Sequence, residues 1–177
     1  MAKAYVLIKN ESGKEDFIIS NLSKIPNITD AHGAFGKYDI ITILESSDED
    51  NIRHDIINGI RKISGISGTL TLLVDKKPGI LKVEKIEQKV LDEYMAHAFV
   101  TIHCSKSMES NIMKKLQDIP EVIKADLLVG NYEIICKISA PTYNDISKII
   151  SKKIRKIPGI ISTITINVIN KQGFSKG

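Results

Sequence analysis

The stretch Ala31-His32-Gly33-Ala34-Phe35-Gly36-Lys37-Tyr38-Asp39-Ile40-Ile41 recurs later in the same chain as Ala125-Asp126-Leu127-Leu128-Val129-Gly130-Asn131-Tyr132-Glu133-Ile134-Ile135. The two copies are 94 positions apart (125 minus 31), and this offset matches residues 4–74 with 98–168 without a gap. Roughly one residue in three is identical between them, and the period suits a small domain better than a solenoid unit. The sequence therefore predicts a duplication.

The composition is that of an ordinary globular protein, with 177 residues, 42% hydrophobic and 26% charged. No apolar run reaches the roughly 18 residues of a membrane span, and the first residues enter a strand pattern without a signal-peptide core. We therefore expect a cytoplasmic protein with no membrane contact. The net charge of +4 comes from scattered lysines, which favours solvated helix faces over a nucleic-acid footprint.

Each repeat follows the order strand, helix, strand, strand, helix, strand. In the first repeat the predicted strands are residues 4–9, 28–35, 38–45 and 68–75. Ser12 and Glu15 have the spacing of a capping box before the first helix, and Gly65 ends the second. Gly36-Lys37 and Gly130-Asn131 suit tight hairpin turns. The order βαββαβ predicts an α+β fold of tandem ferredoxin-like domains, each with a four-stranded antiparallel sheet and both helices on one face.

The face of each sheet away from the helices is also apolar by strand alternation. The residues assigned to it are Tyr5, Leu7, Ile41, Ile43, Phe99 and Ile135. An antiparallel sheet with one face in water alternates apolar and polar residues, so this pattern indicates that the second face is covered. A second sheet about 10 Å away is the simplest cover, and we expect the two sheets to pack face to face.

The chain is expected to divide into a first domain at 1–76, a linker helix at 77–96, a second domain at 97–170 and a flexible tail at 171–177. Four apolar residues of the linker recur at helical spacing: Val83, Ile86, Val90 and Tyr94. They predict an amphipathic helix over about Leu81 to Met95.

In these features each repeat resembles the effector-binding (RAM) domain of the Lrp/AsnC family of amino-acid-responsive regulators. The resemblance rests on Ala4-Tyr-Val-Leu-Ile-Lys, on the two hairpins, and on the closing pieces Arg61-Lys-Ile-Ser-Gly-Ile-Ser-Gly-Thr-Leu-Thr71 and Arg155-Lys-Ile-Pro-Gly-Ile-Ile-Ser-Thr-Ile-Thr165. It implies domains that pair through their sheets, assemble into a dimer or a larger ring, and bind small effectors, commonly amino acids, near the hairpin and last strand.

One departure from that family concerns DNA. Its transcriptional regulators carry a helix-turn-helix domain upstream, whereas the first strand is predicted here from Ala4. The chain is therefore similar to stand-alone effector domains fused in tandem. We expect no direct sequence-specific DNA binding, and contact with DNA through a separate helix-turn-helix protein of the family stays open.

The candidate effector-binding residues lie at the hairpins and last strands. They are Gly36, Tyr38, Asp39, Thr69, Thr71, Gly130, Tyr132, Glu133, Ser162, Thr163 and Thr165. Strand parity predicts that the acids and threonines lie on the face away from the helices, where an acid suits an ammonium group and hydroxyls suit a carboxylate. A rim salt bridge, a glycine turn and the strand propensity of threonine explain the same residues structurally.

Other chemistry has little support. The four histidines show no zinc spacing and the two cysteines do not recur between repeats, so we expect no metal, no disulfide, no cofactor and no enzymatic activity. An RNA-recognition module of this fold needs exposed aromatic residues on its central strands, and Ile41 and Ile43 stand there instead. Two hypotheses remain: an amino-acid-sensing, oligomerising module, and a purely structural interaction domain without a ligand.

Overall fold

The computed structural model describes all residues 1–177 as two compact units, residues 1–74 with 168–177 and residues 75–167. The strands are β1 (Ala2–Asn10), β2 (Ile28–Gly36), β3 (Ile40–Ser46), β4 (Ile66–Val74), β5 (Ile80–Leu81), β6 (Ala96–Cys104), β7 (Val122–Val129), β8 (Ile134–Ala140) and β9 (Ile160–Ser175). The helices are α1 (Glu15–Leu22), α2 (Glu49–His54), α3 (Lys85–Tyr94), α4 (Glu109–Gln117) and α5 (Tyr143–Ile149). Wider π-helical turns continue α2 over Asp55–Gly59 and α5 over Ile150–Ile154.

The first unit has the ferredoxin-like order β4-β1-β3-β2, and its β1–β3, β1–β4 and β2–β3 pairs are antiparallel. The core between the helices and the sheet contains Ala4, Val6, Ile8, Ile18, Leu22, Ile40, Leu44, Ile52 and Ile60, all fully buried. Because Ile18 and Leu22 are four residues apart, they lie on one face of α1 and pack on the sheet together. The predicted topology of this repeat is confirmed.

The second unit repeats this plan in the order β9-β6-β8-β7, and β5 adds a short strand beyond β7. Its core contains Ala98, Val100, Ile102, Ile112, Leu116, Ile134, Ile138, Ile146 and Ile154. The helix-facing residues of β6 are those 94 positions after Ala4, Val6 and Ile8, so the duplication seen in the sequence is a duplication of structure. Tandem ferredoxin-like halves are confirmed.

The C-terminal end differs from the predicted flexible tail at 171–177. β9 runs on to Ser175, and its last part lies beside β2 in the first unit. The Lys176 amide donates to the Thr29 carbonyl at 2.7 Å, and the Ser175 hydroxyl donates to Asp30. Gly173 has φ of 149°, and a side chain there would lie 2.2 Å from the Ala31 carbonyl oxygen. The first sheet therefore has a fifth strand, because this segment satisfies the edge of β2.

The linker helix is shorter than predicted. α3 begins at Lys85, and the apolar stripe that predicted it is largely solvent-facing, with Ile86 79%, Val90 53% and Tyr94 76% exposed. The half-buried side of α3 instead carries Asp92. No helix of the chain is long and apolar enough to cross a membrane.

We define the far face of each sheet as the face opposite its helices. The residues assigned to it from the sequence, Tyr5, Leu7, Ile41, Ile43, Phe99 and Ile135, alternate with core residues and are all less than 10% exposed. Their assignment to a covered apolar face is confirmed. The face-to-face packing of two sheets stays a prediction.

Candidate functional site

The hairpin acids of the two repeats make the same contact. The Asp39 carboxylate accepts a hydrogen bond from the Asn10 amide at 2.9 Å, and the Glu133 carboxylate accepts one from the Cys104 amide at 2.6 Å. Asn10 and Cys104 are 94 positions apart, and so are Asp39 and Glu133. The duplication has therefore kept this pairing of a side chain with a backbone amide.

A β-bulge explains the contact. The register of the first strand shifts between Lys9 and Asn10 in one unit and between His103 and Cys104 in the other. A bulge leaves an amide outside the regular ladder, and a buried amide without an acceptor is costly. The acids satisfy these amides, so they have a structural role that the sequence did not reveal. Their predicted role as ammonium acceptors stays a prediction.

The threonines are not on the predicted face. In the register, Thr71 lies opposite Val6 and Thr165 lies opposite Val100, and both valines belong to the helix-facing cores. The same register places all four threonines on the helix side: Thr69, Thr71, Thr163 and Thr165. The far-face assignment was wrong because it took the apolar residues of the last strands as the helix-facing ones, whereas both faces of these sheets are apolar.

The second hairpin forms a small polar cluster. His103 Nδ1 lies 2.8 Å from the Glu133 carboxylate, and the His103 and Tyr132 rings meet edge to face with centroids 6.4 Å apart. Ser162 lies opposite His103 on the far face and is exposed. The structure therefore brings Tyr132, Glu133 and Ser162 to one side of the sheet and leaves Thr163 on the other.

The first hairpin is less polar. Tyr38 is 9% exposed, and the Lys9 ammonium lies 5.7 Å from its ring centroid. Gly36 and Gly130 have φ of 126° and 122°, a backbone conformation that favours glycine, so their turn role is sufficient to explain them. The predicted residues thus form one polar cluster in the second unit and a mainly structural turn in the first.

A second polar group, missed by the sequence analysis, lies on the far face of the second unit. Lys137 has an 8% exposed side chain and donates from Nζ to Asp92 Oδ2 of α3 at 2.8 Å. His97 Nδ1 lies 3.6 Å from the other Asp92 oxygen, and the Lys137 ammonium lies 5.7 Å from the Phe99 ring centroid. Thr101, on the same face of β6, is fully buried. We call these five residues the far-face cluster.

One signal for this cluster was present in the sequence. Lys137 interrupts the apolar run Ile134-Ile-Cys-Lys-Ile138, and the position 94 residues earlier is Ile43. Lysine is rarely buried unless it is paired, so a lysine in a central strand predicts a buried partner. Asp92 as that partner was not predictable, because it lies in the linker helix outside both repeats.

The two cysteines are free and buried. Burial raises the pKa of Cys136 to about 12. Burial, with the nearby Glu133 and Glu109 carboxylates, raises the pKa of Cys104 to about 11. Both are therefore neutral thiols near pH 7, and a thiolate is the form that acts as a nucleophile or a metal ligand.

The Lrp/AsnC ligand binding domain family matches residues 97–172. The regulatory protein AsnC of Haemophilus influenzae is 31% identical over 108 residues, covering 58% of this chain and 71% of AsnC. The chain belongs to the Lrp/AsnC family. The suspected resemblance of the repeats to its effector-binding domain is therefore confirmed.

A transcriptional regulator matches over a shorter stretch. The HTH-type transcriptional regulator FL11 of Pyrococcus horikoshii is 30% identical over 73 residues, covering 41% of this chain and 48% of FL11. The chain thus spans about half the length of this regulator.

Two solved structures match this Lrp/AsnC protein over almost its whole length. The siroheme decarboxylase NirDL has a TM-score of 0.70 at 10% identity, covering 98% of this chain and 72% of that chain. An anthrone oxidase-like protein has a TM-score of 0.60 at 8% identity, covering 99% and 93%. At these identities the likeness is one of fold alone.

Proposed function

We propose that this Lrp/AsnC protein is a small-molecule sensing module, with a free amino acid as its first candidate ligand, and that it binds without chemical turnover. The observation that carries the proposal is the match of residues 97–172 to a ligand binding domain. The hydrogen-bonding groups of the second unit support it, since a selective site for a zwitterion needs donors, an acceptor and an apolar wall close together.

We further propose that the chain forms a homo-oligomer, a dimer or a larger ring, and passes its signal to a partner protein. A helix-turn-helix member of the same family is one such partner. The dispersed positive charge supports weak, non-specific DNA binding at most. Retention of one DNA sequence over a scrambled one at physiological salt would contradict that part of the proposal.

The direct test is a thermal melt of the full chain with each free amino acid in turn. A ligand at about 100 times its dissociation constant stabilises a one-site protein by about 2.7 kcal/mol, which raises the melting temperature measurably. We expect one amino acid or a small chemically related group to do so. If none shifts the melt, the sensing proposal fails and a purely structural assembly domain explains the chain better.

Association is tested separately by multi-angle light scattering at micromolar concentration. We expect a mass that is a multiple of the 19.6 kDa chain. A monomeric mass, with and without the best amino acid, would remove the oligomer from the proposal and leave the ligand test unaffected.

A further inference from the structure

The far-face cluster contains buried hydrogen-bonding groups that lack partners. A lysine ammonium has three donors, and Lys137 makes one side-chain hydrogen bond, to Asp92, although its side chain is only 8% exposed. The Thr101 hydroxyl is fully buried and has no hydrogen-bond partner. A buried donor without an acceptor is destabilising, so the cluster favours a bound group that supplies an acceptor.

The acceptor that these donors lack is best supplied by a carboxylate. Thr101 lies opposite Ile135 in the β6–β8 register, two residues from the Phe99–Lys137 pair, so Thr101 and Lys137 are diagonal neighbours on one face. Lys124 of β7 lies directly opposite Lys137 as well. A Lys137 ammonium with unused donors, next to an unpaired hydroxyl, favours an anion with two acceptor oxygens.

The cluster also offers one acceptor. Asp92 Oδ2 is engaged by Lys137, but Oδ1 is buried and makes no hydrogen bond, with His97 Nδ1 at 3.6 Å. The Asp92 side chain is 29% exposed, more than that of Lys137 or His97, so the cluster meets solvent on the side of α3.

We propose that the far-face cluster is the ligand site of the second unit, with Lys137 and Thr101 holding the carboxylate of a small zwitterion and Asp92 Oδ1 accepting its ammonium group. This inference rests on the proposed sensing function and names its site. Asp126, opposite Ile135, is a further acid on this face and limits the site to ligands that carry a positive as well as a negative charge.

The first unit lacks such a site. The positions 94 residues before Lys137, Thr101 and Phe99 are Ile43, Leu7 and Tyr5. Ile43 and Leu7 offer no hydrogen-bonding side chain. The chain therefore has one such site, in the second unit only.

The experiment is isothermal titration calorimetry of the full chain with the amino acid that gives the largest melting shift, on wild type and on Thr101→Val, Lys137→Met and Glu133→Gln. Thr42→Val is the matched control, because Thr42 in the first unit is also fully buried with an unpartnered hydroxyl but lies among core residues. A thermal melt of each unliganded variant checks that the variant is folded.

We expect one site per chain, binding about tenfold weaker in Thr101→Val, at least about a hundredfold weaker in Lys137→Met, and unchanged in Thr42→Val and Glu133→Gln. Wild-type affinity in Thr101→Val together with loss of binding in Glu133→Gln would overturn this site and leave the sensing proposal intact, with the hairpin as its location. Two equal sites per chain would also overturn it. If no amino acid binds the wild type, both this site and the sensing proposal are wrong.

Discussion

The two units share a backbone and differ on one face of it. Both have a bulge at the end of the first strand, and both satisfy the amide that the bulge leaves outside the ladder with an acid after the hairpin, Asp39 or Glu133. Their far faces are unlike: the first carries Leu7 and Ile43, whereas the second carries Thr101 and Lys137 at the matching positions.

This difference separates residues that hold the fold from residues available for another task. A feature present in both copies, such as the acid on the bulge amide, is explained by the needs of the backbone. A buried ion pair present in one copy is not explained in that way, because an apolar side chain fills the same position in the other. Replacing a buried ion pair by apolar residues is often neutral or stabilising, so the pair is weak evidence for a purely structural role.

The largest expected effect comes from leaving Lys137 unpaired. Asp92→Ala should lower the free energy of unfolding by about 3 kcal/mol, because an ammonium with an 8% exposed side chain loses its carboxylate. Lys137→Met should cost far less, because the apolar residue Ile43 is accommodated at the matching position of the first unit. Urea denaturation measures both. Equal costs for the two variants would mean that the ion pair anchors α3. They would also mean that the second unit does not accommodate an apolar side chain at position 137 as the first unit accommodates Ile43.

The hairpin acids should differ in importance although they make the same contact. Glu133→Ala should cost about 2 kcal/mol, because the buried Cys104 amide and His103 both lose their acceptor. Asp39→Ala should cost about 1 kcal/mol, because it removes one hydrogen bond at a half-buried site. The same denaturation experiment compares them. No loss in either variant would show that the bulge amides find another acceptor.

The smallest effect depends on pH. Since burial raises the pKa of Cys136 from 9.0 to about 12, the folded protein keeps a proton that the unfolded chain releases. This contribution to stability is complete below pH 9 and is lost as pH rises toward 12. The loss amounts to about 0.8 kcal/mol at pH 9.5. Relative to its own stability at pH 7, wild type should lose that much more free energy of unfolding than Cys136→Val. Thr42, at the matching position of the first unit, adds no such dependence on pH. Parallel profiles for the two proteins would contradict a buried neutral thiol.

Much of the fold was predictable because the sequence contains two copies of it. The offset of 94 and the order of elements follow from apolar spacing and turn residues that recur in both copies, and the ferredoxin-like fold that this order predicts is the one with the observed strand order β4-β1-β3-β2. Local details were less secure. Ser12 and Glu15 have the capping-box spacing, but α1 begins at Glu15 itself, after Lys14, with no side-chain cap. A motif of two residues does not fix where a short helix begins.

The site was less predictable than the fold for a physical reason. Strand alternation identifies the two faces only when one of them is polar, and here both are buried, so Thr69 and Thr71 were placed on the wrong side. The pairing of Lys137 with Asp92 joins a repeat to the linker helix, and no spacing rule connects positions 45 residues apart.

The central claim is that the far face of the second unit, and not the hairpins, holds the ligand. A titration of the isotope-labelled full chain with the best amino acid, followed by nuclear magnetic resonance, tests it residue by residue. The account predicts that the largest chemical-shift changes fall on Asp92, Thr101 and Lys137, with residues 36–39 and 130–133 nearly unmoved. Large changes at the two hairpins, with Thr101 and Lys137 unmoved, would contradict it.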